Sequence, residues 1–230
     1  MSIYPQSLST DTSGSYILSG ISLTELAQVH GTPLFVMCDQ TIRHQIRRYK
    51  HVLDKDYPNY LIAYAGKANL TVGLLNVMSE EGIGVDVVSG GEIHTALKSK
   101  MLHEKIVFHG NNKSISELEL ALSNHIRIVI DNHTEALRIQ KLCKEKGYKA
   151  RVMLRMKPEI EAHTHEYIKT GHIESKFGIR KEEMVLVIKE LIKEPNISVL
   201  GIHGHIGSQI FDVAPFEDLV NIMVSQYDRI

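Results

Sequence analysis

The chain has 230 residues, of which 43% are hydrophobic and 23% charged, a balance typical of a globular protein with a sizeable core. A net charge of −1 excludes the broad positive field of a nucleic-acid-binding protein, and no run of residues is apolar over the length of a membrane span. The N-terminus also lacks a basic start followed by an apolar core, so we expect a cytoplasmic protein whose partners are small molecules or copies of itself.

The two cysteines and thirteen histidines show no metal-ligand spacing. Cys38 lies in an apolar run that predicts a strand, whereas Cys143 lies among helical residues, so the two belong to unrelated segments. We predict that both cysteines are packing residues and that the protein holds no metal.

The N-terminal segment differs in pattern from the rest of the chain. Apolar residues at helical spacing predict helices at 23–29 and 41–53, and the apolar run at 33–38 predicts a strand outside the main sheet.

From residue 60 onward, short apolar runs alternate with longer amphipathic ones. The runs predict strands at 61–65, 84–88, 106–109, 126–131, 150–155 and 199–206. This rhythm is typical of repeated βα units in a parallel sheet, and the spacing alone leaves a barrel and a doubly wound sheet open. Asn132 is a natural helix N-cap, and the long polar stretch between 158 and 178 predicts a loop that is functional or mobile.

Each predicted strand delivers a polar side chain at its carboxyl end, where parallel sheets bind ligands. These side chains are Lys67, Asp86, His109, Asp131, Arg155 and the histidines of 203–209. Each has a simple structural explanation when taken alone, as a helix cap, a turn or an ion-pair partner. Six at successive strand ends favour a ligand site.

Three motifs carry a resemblance to a known family. They are 64–69 (YAGKAN), 86–92 (DVVSGGE) and 201–209 (GIHGHIGSQ), supported by the loop from His163 and His165 to 175–178 (SKFG). The chain resembles the N-terminal part of the diaminopimelate decarboxylases, in the fold-type III family of pyridoxal-phosphate enzymes. The resemblance implies an α/β fold of the TIM-type (β/α)₈ barrel of alanine racemase-like proteins, with residues 1–38 contributing to a β-domain and 39–230 forming part of the barrel.

The resemblance also implies the cofactor and its ligands. Lys67 would attach pyridoxal 5'-phosphate covalently, His205 would stack on the pyridine ring, and Ser208 would bind the phosphate. Asp86 and Arg155 match polar positions that line the family's cofactor pocket. For His203 packing and function are equally open, and His163 and His165 are candidate substrate contacts or plain loop residues. The implied activity is decarboxylation of meso-2,6-diaminopimelate to L-lysine, the last step of lysine biosynthesis, by a homodimer.

The sequence departs from the family in two ways. Gly66 stands where the family generally has a larger apolar residue, and we expect it to loosen the lysine. The resemblance stops after six βα units, before the family's seventh and eighth strands and its C-terminal β-domain. We therefore expect an incomplete barrel in a truncated chain whose activity on its own is doubtful.

Two other functions fit the same residues. One is decarboxylation of another amino acid, including one linked to a carrier protein. The other is a pseudoenzyme that binds pyridoxal phosphate without catalysing a reaction.

Overall fold

The computed structural model describes residues 4–158, 177–207 and 210–228. The chain divides into two compact units. The first consists of Met1–Ile62 with Glu80–Gly82, and the second of Ala63–Ser79 with Ile83–Ile230. The division into 1–38 and 39–230 that the sequence analysis expects remains a prediction.

The first unit contains a small antiparallel sheet and two helices. Its strands β1 (Leu8–Thr10), β2 (Tyr16–Leu18) and β3 (Ile21–Ser22) pair in that order. Helices α1 (Leu23–His30) and α2 (Asp39–Asp56) follow, which confirms the helices predicted there. The predicted strand at 33–38 is wrong, because this run has no ladder partner among the described residues and leaves Phe35 96% exposed. The sequence analysis also missed the three short strands.

The second unit is built around a six-stranded parallel sheet. Its strands are β4 (Ala63–Ala65), β5 (Gly84–Val87), β6 (Ile106–Phe108), β7 (Arg127–Ile130), β8 (Ala150–Arg155) and β9 (Ile197–His203). They pair in strict chain order, whereas the strand order of a doubly wound sheet reverses direction. The six predicted strands are therefore confirmed, and the sequential order agrees with part of a barrel.

Helices alternate with these strands. They are α3 (Val72–Glu80), α4 (Gly90–Leu97), α5 (Ile115–Ser123), α6 (His133–Lys146), α7 (Lys181–Leu191) and α8 (Ala214–Tyr227). Local sequence fixes several of their ends. The Asn132 side chain accepts from the backbone N–H of Glu135 at the start of α6, as predicted, and Gly147 ends that helix at a φ of 68°.

The core lies between the central strands and their helices. Ile128, Ile130 and Leu154 are fully buried because central parallel strands have neighbours on both faces. The edge strands are less buried, and Ala63 and Ala65 of β4 are exposed. No helix in the described part of the chain is both long and apolar enough to cross a membrane.

The two cysteines have different environments. Cys143 is buried, and burial raises the pKa of its thiol to about 11, as suits a packing residue. The sulfur of Cys38 instead lies 3.2 Å from the hydroxyls of Ser7 and Thr41 and 3.4 Å from that of Ser19. Hydrogen bonds with these hydroxyls, that of Ser19 first, lower the pKa of the buried Cys38 thiol to about 6.

Candidate functional site

A cavity of about 530 Å³ opens at the carboxyl ends of the parallel strands. Parallel pairing brings the residues that follow each strand to this one edge of the sheet. The polar side chains that line the cavity include Lys67, Asp86, His109, Arg155, His203 and His205.

Lys67 lies on a 3₁₀ turn, Gly66–Ala68, directly after β4. Its side chain is exposed, and within the described residues it makes no hydrogen bond or ion pair, so its amine is available to a ligand.

Gly66, the first residue of this turn, is buried. A Cβ at this position would lie 2.8 Å from the backbone oxygen of Asp86 and 3.1 Å from Cδ1 of Leu70. The expectation that Gly66 loosens the lysine stays a prediction. The missing side chain lets the lysine turn pack directly against β5.

Asp86 and His109 form a pair on neighbouring strands. The carboxylate of Asp86 accepts a hydrogen bond from Nδ1 of His109. The His109 ring lies next to that of His203, with ring centroids 4.6 Å apart and planes tilted by 58°. The pairing holds the Asp86 carboxylate at the cavity wall.

His203 is surrounded by positive or potentially positive groups. Burial is the main cause that lowers the pKa of His203 to about 3, and the charges of His109, Arg155 and His205 lower it further. The ring is therefore neutral at physiological pH.

Two contacts orient Arg155. Its Nη1 lies 3.4 Å from Oδ1 of Asp131, and its guanidinium carbon lies 5.2 Å from the centroid of the Phe177 ring. Asp131 is 5% exposed and does not cap α6, because Asn132 does. The simple explanation of Asp131 as a helix cap is therefore wrong, and its carboxylate instead faces the arginine.

A buried ion pair supports the loop that follows β6. Nζ of Lys113 donates to Oε1 of Glu135 at 2.7 Å and to the backbone oxygens of Gly110 and Val129 at 2.7 and 2.8 Å. Burial lowers the pKa of Lys113 and raises that of Glu135. This pair was not predicted, since the two residues are 22 positions apart and each resembles an ordinary surface charge in the sequence.

The structure brings four of the predicted site residues, Lys67, Asp86, Arg155 and His205, to one cavity. Ser208, His163 and His165 lie outside the described residues. The roles of all these residues stay predictions. His109 was named only as a polar strand-end residue, and its register opposite Asp86 was not readable from the sequence.

Comparison with known proteins identifies the family. Residues 40–230 match the family described as pyridoxal-dependent decarboxylase, pyridoxal binding domain. The chain is 36% identical to a diaminopimelate decarboxylase of Synechocystis sp. over 99% of this chain and 50% of that protein. It is 44% identical to the Bacillus methanolicus enzyme over 88% of this chain and 48% of that protein.

A solved structure shows the same relationship. The crystal structure of diaminopimelate decarboxylase from M. jannaschii in complex with L-lysine superposes with a TM-score of 0.87 at 32% identity, over 96% of this chain and 52% of that one. The chain thus spans about half the length of the relatives it matches, which confirms the predicted partial match. The match to the pyridoxal binding domain confirms the predicted cofactor. This chain belongs to the pyridoxal-dependent decarboxylases.

Proposed function

We propose that this chain forms the pyridoxal-phosphate-binding part of a diaminopimelate decarboxylase, a carboxy-lyase that converts meso-2,6-diaminopimelate to L-lysine. The observation that carries the proposal is Lys67, which lies exposed at a strand end in one cavity with Asp86, Arg155 and His205. The named relatives, at 36–44% identity, favour this substrate over other amino acids.

The residues present fit the cofactor. The cavity offers the Lys67 amine, which bonds to no other described residue, a flat imidazole at His205 and the guanidinium of Arg155, which is held by Asp131. When bound, pyridoxal phosphate supplies the electron sink that accepts the electron pair left by a departing carboxylate. An exposed amine is what covalent attachment requires, and a cationic group at the rim favours an anionic ligand.

Each residue has a defined task in the proposal. Lys67 would hold the cofactor covalently through its amine, and His205 would cover the ring and exclude water from it. Asp86, held by His109, would keep a negative charge beside the lysine turn and so orient an ammonium group. Ser208 would bind the phosphate through its hydroxyl.

The first test measures cofactor capture. The purified chain is mixed with pyridoxal phosphate, reduced with borohydride and digested, and the modified peptide is located by mass spectrometry. We expect modification at Lys67 and its loss in Lys67→Ala. Lys144→Ala is the matched control, because Lys144 is an exposed lysine on α6 and its loss should change nothing. Folded protein, shown by circular dichroism, that is not modified at Lys67 would refute the proposal.

The second test measures substrate choice. Release of CO₂ and formation of L-lysine are followed with meso-2,6-diaminopimelate, and ornithine, arginine and lysine serve as competing substrates. Preferred turnover of another amino acid would support the alternative decarboxylase. Capture of the cofactor without any CO₂ release would fit either the non-catalytic binder or a cofactor-binding part that does not decarboxylate on its own.

A homodimer and a cytoplasmic location belong to the same proposal. They rest on the family resemblance and on the composition of the chain. Sedimentation equilibrium over a range of protein concentrations tests the dimer.

A further inference from the structure

Three buried side-chain atoms of the described residues lack a hydrogen-bond partner: Nε2 of His109, Nδ1 of His203 and Nε of Arg127. Buried polar atoms in folded proteins nearly always have a partner, so each exception calls for an explanation. The two histidine atoms belong to adjacent rings that line the same cavity, with centroids 4.6 Å apart. Their closeness suggests a common explanation.

The hydrogen bond to Asp86 fixes the chemistry of the first ring. A carboxylate accepts only, so Nδ1 of His109 carries the proton that it shares with Asp86. In a neutral imidazole the other nitrogen is then an acceptor, so Nε2 of His109 needs a donor. Nδ1 of His203 is that donor if the ring carries its proton there. One N–H···N bond would satisfy both atoms.

Among the described residues no hydrogen bond joins the two rings, so the bond requires the His203 ring to rotate. The rings are tilted by 58°, so neither ring stacks flat on the other. The terminal torsion of a histidine side chain has a broad energy profile, so a modest rotation of the His203 ring costs little and leaves the bond between His109 and Asp86 in place. A hydrogen bond in a poorly hydrated site recovers the penalty of leaving two polar atoms unpaired.

We propose that Asp86, His109 and His203 form one hydrogen-bonded chain at the cavity wall. His109 is its positioning residue: it holds the Asp86 carboxylate and fixes His203 with its proton on Nδ1. Nε2 of His203 is then left as an uncharged acceptor for a donor group of the bound ligand. This role deepens the proposed function and rests on it only for the identity of that ligand.

The surrounding charges agree with a neutral His203 ring. Arg155 and His205 face His203 from β8 and from the segment after β9, and His109 faces it from the end of β6. These groups disfavour a second positive charge on His203.

The test reads the position of the proton directly. The ¹⁵N-labelled chain, without added cofactor, is studied by long-range ¹H–¹⁵N correlation NMR, and each ring is assigned by a single histidine substitution. We expect both His109 and His203 to be protonated at Nδ1 throughout the range from pH 6 to 8. Free neutral histidine prefers Nε2–H, so the Nδ1–H form is diagnostic. A His203 ring protonated at Nε2, or one that becomes charged in this range, overturns the proposal.

Variants separate the chain from general packing. His109→Phe keeps a flat ring but removes the acceptor, so His203 should lose its Nδ1–H signature and revert to Nε2–H. Asp131→Asn is the matched control, since Asp131 is a carboxylate that contacts Arg155 and lies outside the chain. The His203 signature should survive in this control. Retention in both variants would refute the role of His109.

The outcome is independent of cofactor capture. Modification of Lys67 together with the wrong tautomer of His203 would leave the proposed function intact and reject the hydrogen-bonded chain. If both rings show the predicted tautomers but Lys67 fails to capture the cofactor, the hydrogen-bonded chain stands and the proposed function is rejected.

Discussion

Replacement of Lys113 by methionine tests how the loop at the cavity is held. Methionine keeps the length of the side chain and removes its charge. Lys113 is 3% exposed and makes three hydrogen bonds through Nζ, one of them to the carboxylate of Glu135. Removing one partner of a buried ion pair leaves the other charge uncompensated, which costs about 3–5 kcal/mol.

This loss is large enough to measure by urea unfolding followed by circular dichroism. With a slope of about 2–3 kcal/mol per M, the midpoint should fall by about 1–2 M. Lys144→Met, at an exposed lysine on α6, should change stability by no more than about 0.5 kcal/mol.

The double variant Lys113→Met/Glu135→Leu removes both charges together. Because no unpaired carboxylate remains, it should recover most of the loss. The reasoning is refuted if Lys113→Met costs less than about 1 kcal/mol, or if the double variant is no more stable than the single one.

The variant also has a defined pH dependence. Burial raises the pKa of Glu135, and loss of Lys113 removes the main effect that opposes burial. A native state with a raised carboxyl pKa binds the proton more tightly than the unfolded chain, whose value lies near 4.5. The deficit of Lys113→Met should therefore be largest above the raised pKa and shrink as the pH falls toward the unfolded value. Urea unfolding at several pH values checks this.

Three further predictions concern local contacts. Gly66→Val should destabilise the fold by about 1–3 kcal/mol, because the new side chain meets the backbone of β5. Gly73→Ala in α3 places its methyl group in open space and should be neutral or stabilising. Thermal unfolding compares the two variants. Asn132→Ala should cost about 1 kcal/mol through loss of the α6 cap, and Asn132→Asp should restore it. The thiol of Cys38 should ionise near pH 6, as followed by thiolate absorbance in the Cys143→Ala variant; a midpoint near 9 would contradict the hydroxyl contacts.

The strands and several caps follow from local sequence. The six predicted barrel strands are observed because runs such as 126–131 are too apolar to leave exposed and too short for a helix. The same reasoning failed at 33–38, where an apolar run finds no strand to pair with. An apolar run indicates the need for a partner, and it does not supply one.

Some residues of the candidate site can be predicted from sequence motifs, and others can be found only from the tertiary structure. Lys67 and His205 are readable because their motifs are contiguous, and parallel strands carry residues that follow them to one edge. The pairing of Asp86 with His109 and that of Lys113 with Glu135 join residues 23 and 22 positions apart. Strand register and burial decide such pairs, since each side chain alone is equally suited to solvent. The close approach of Gly66 to Asp86 likewise exists only once β4 and β5 lie side by side, because it depends on the distance between two backbones.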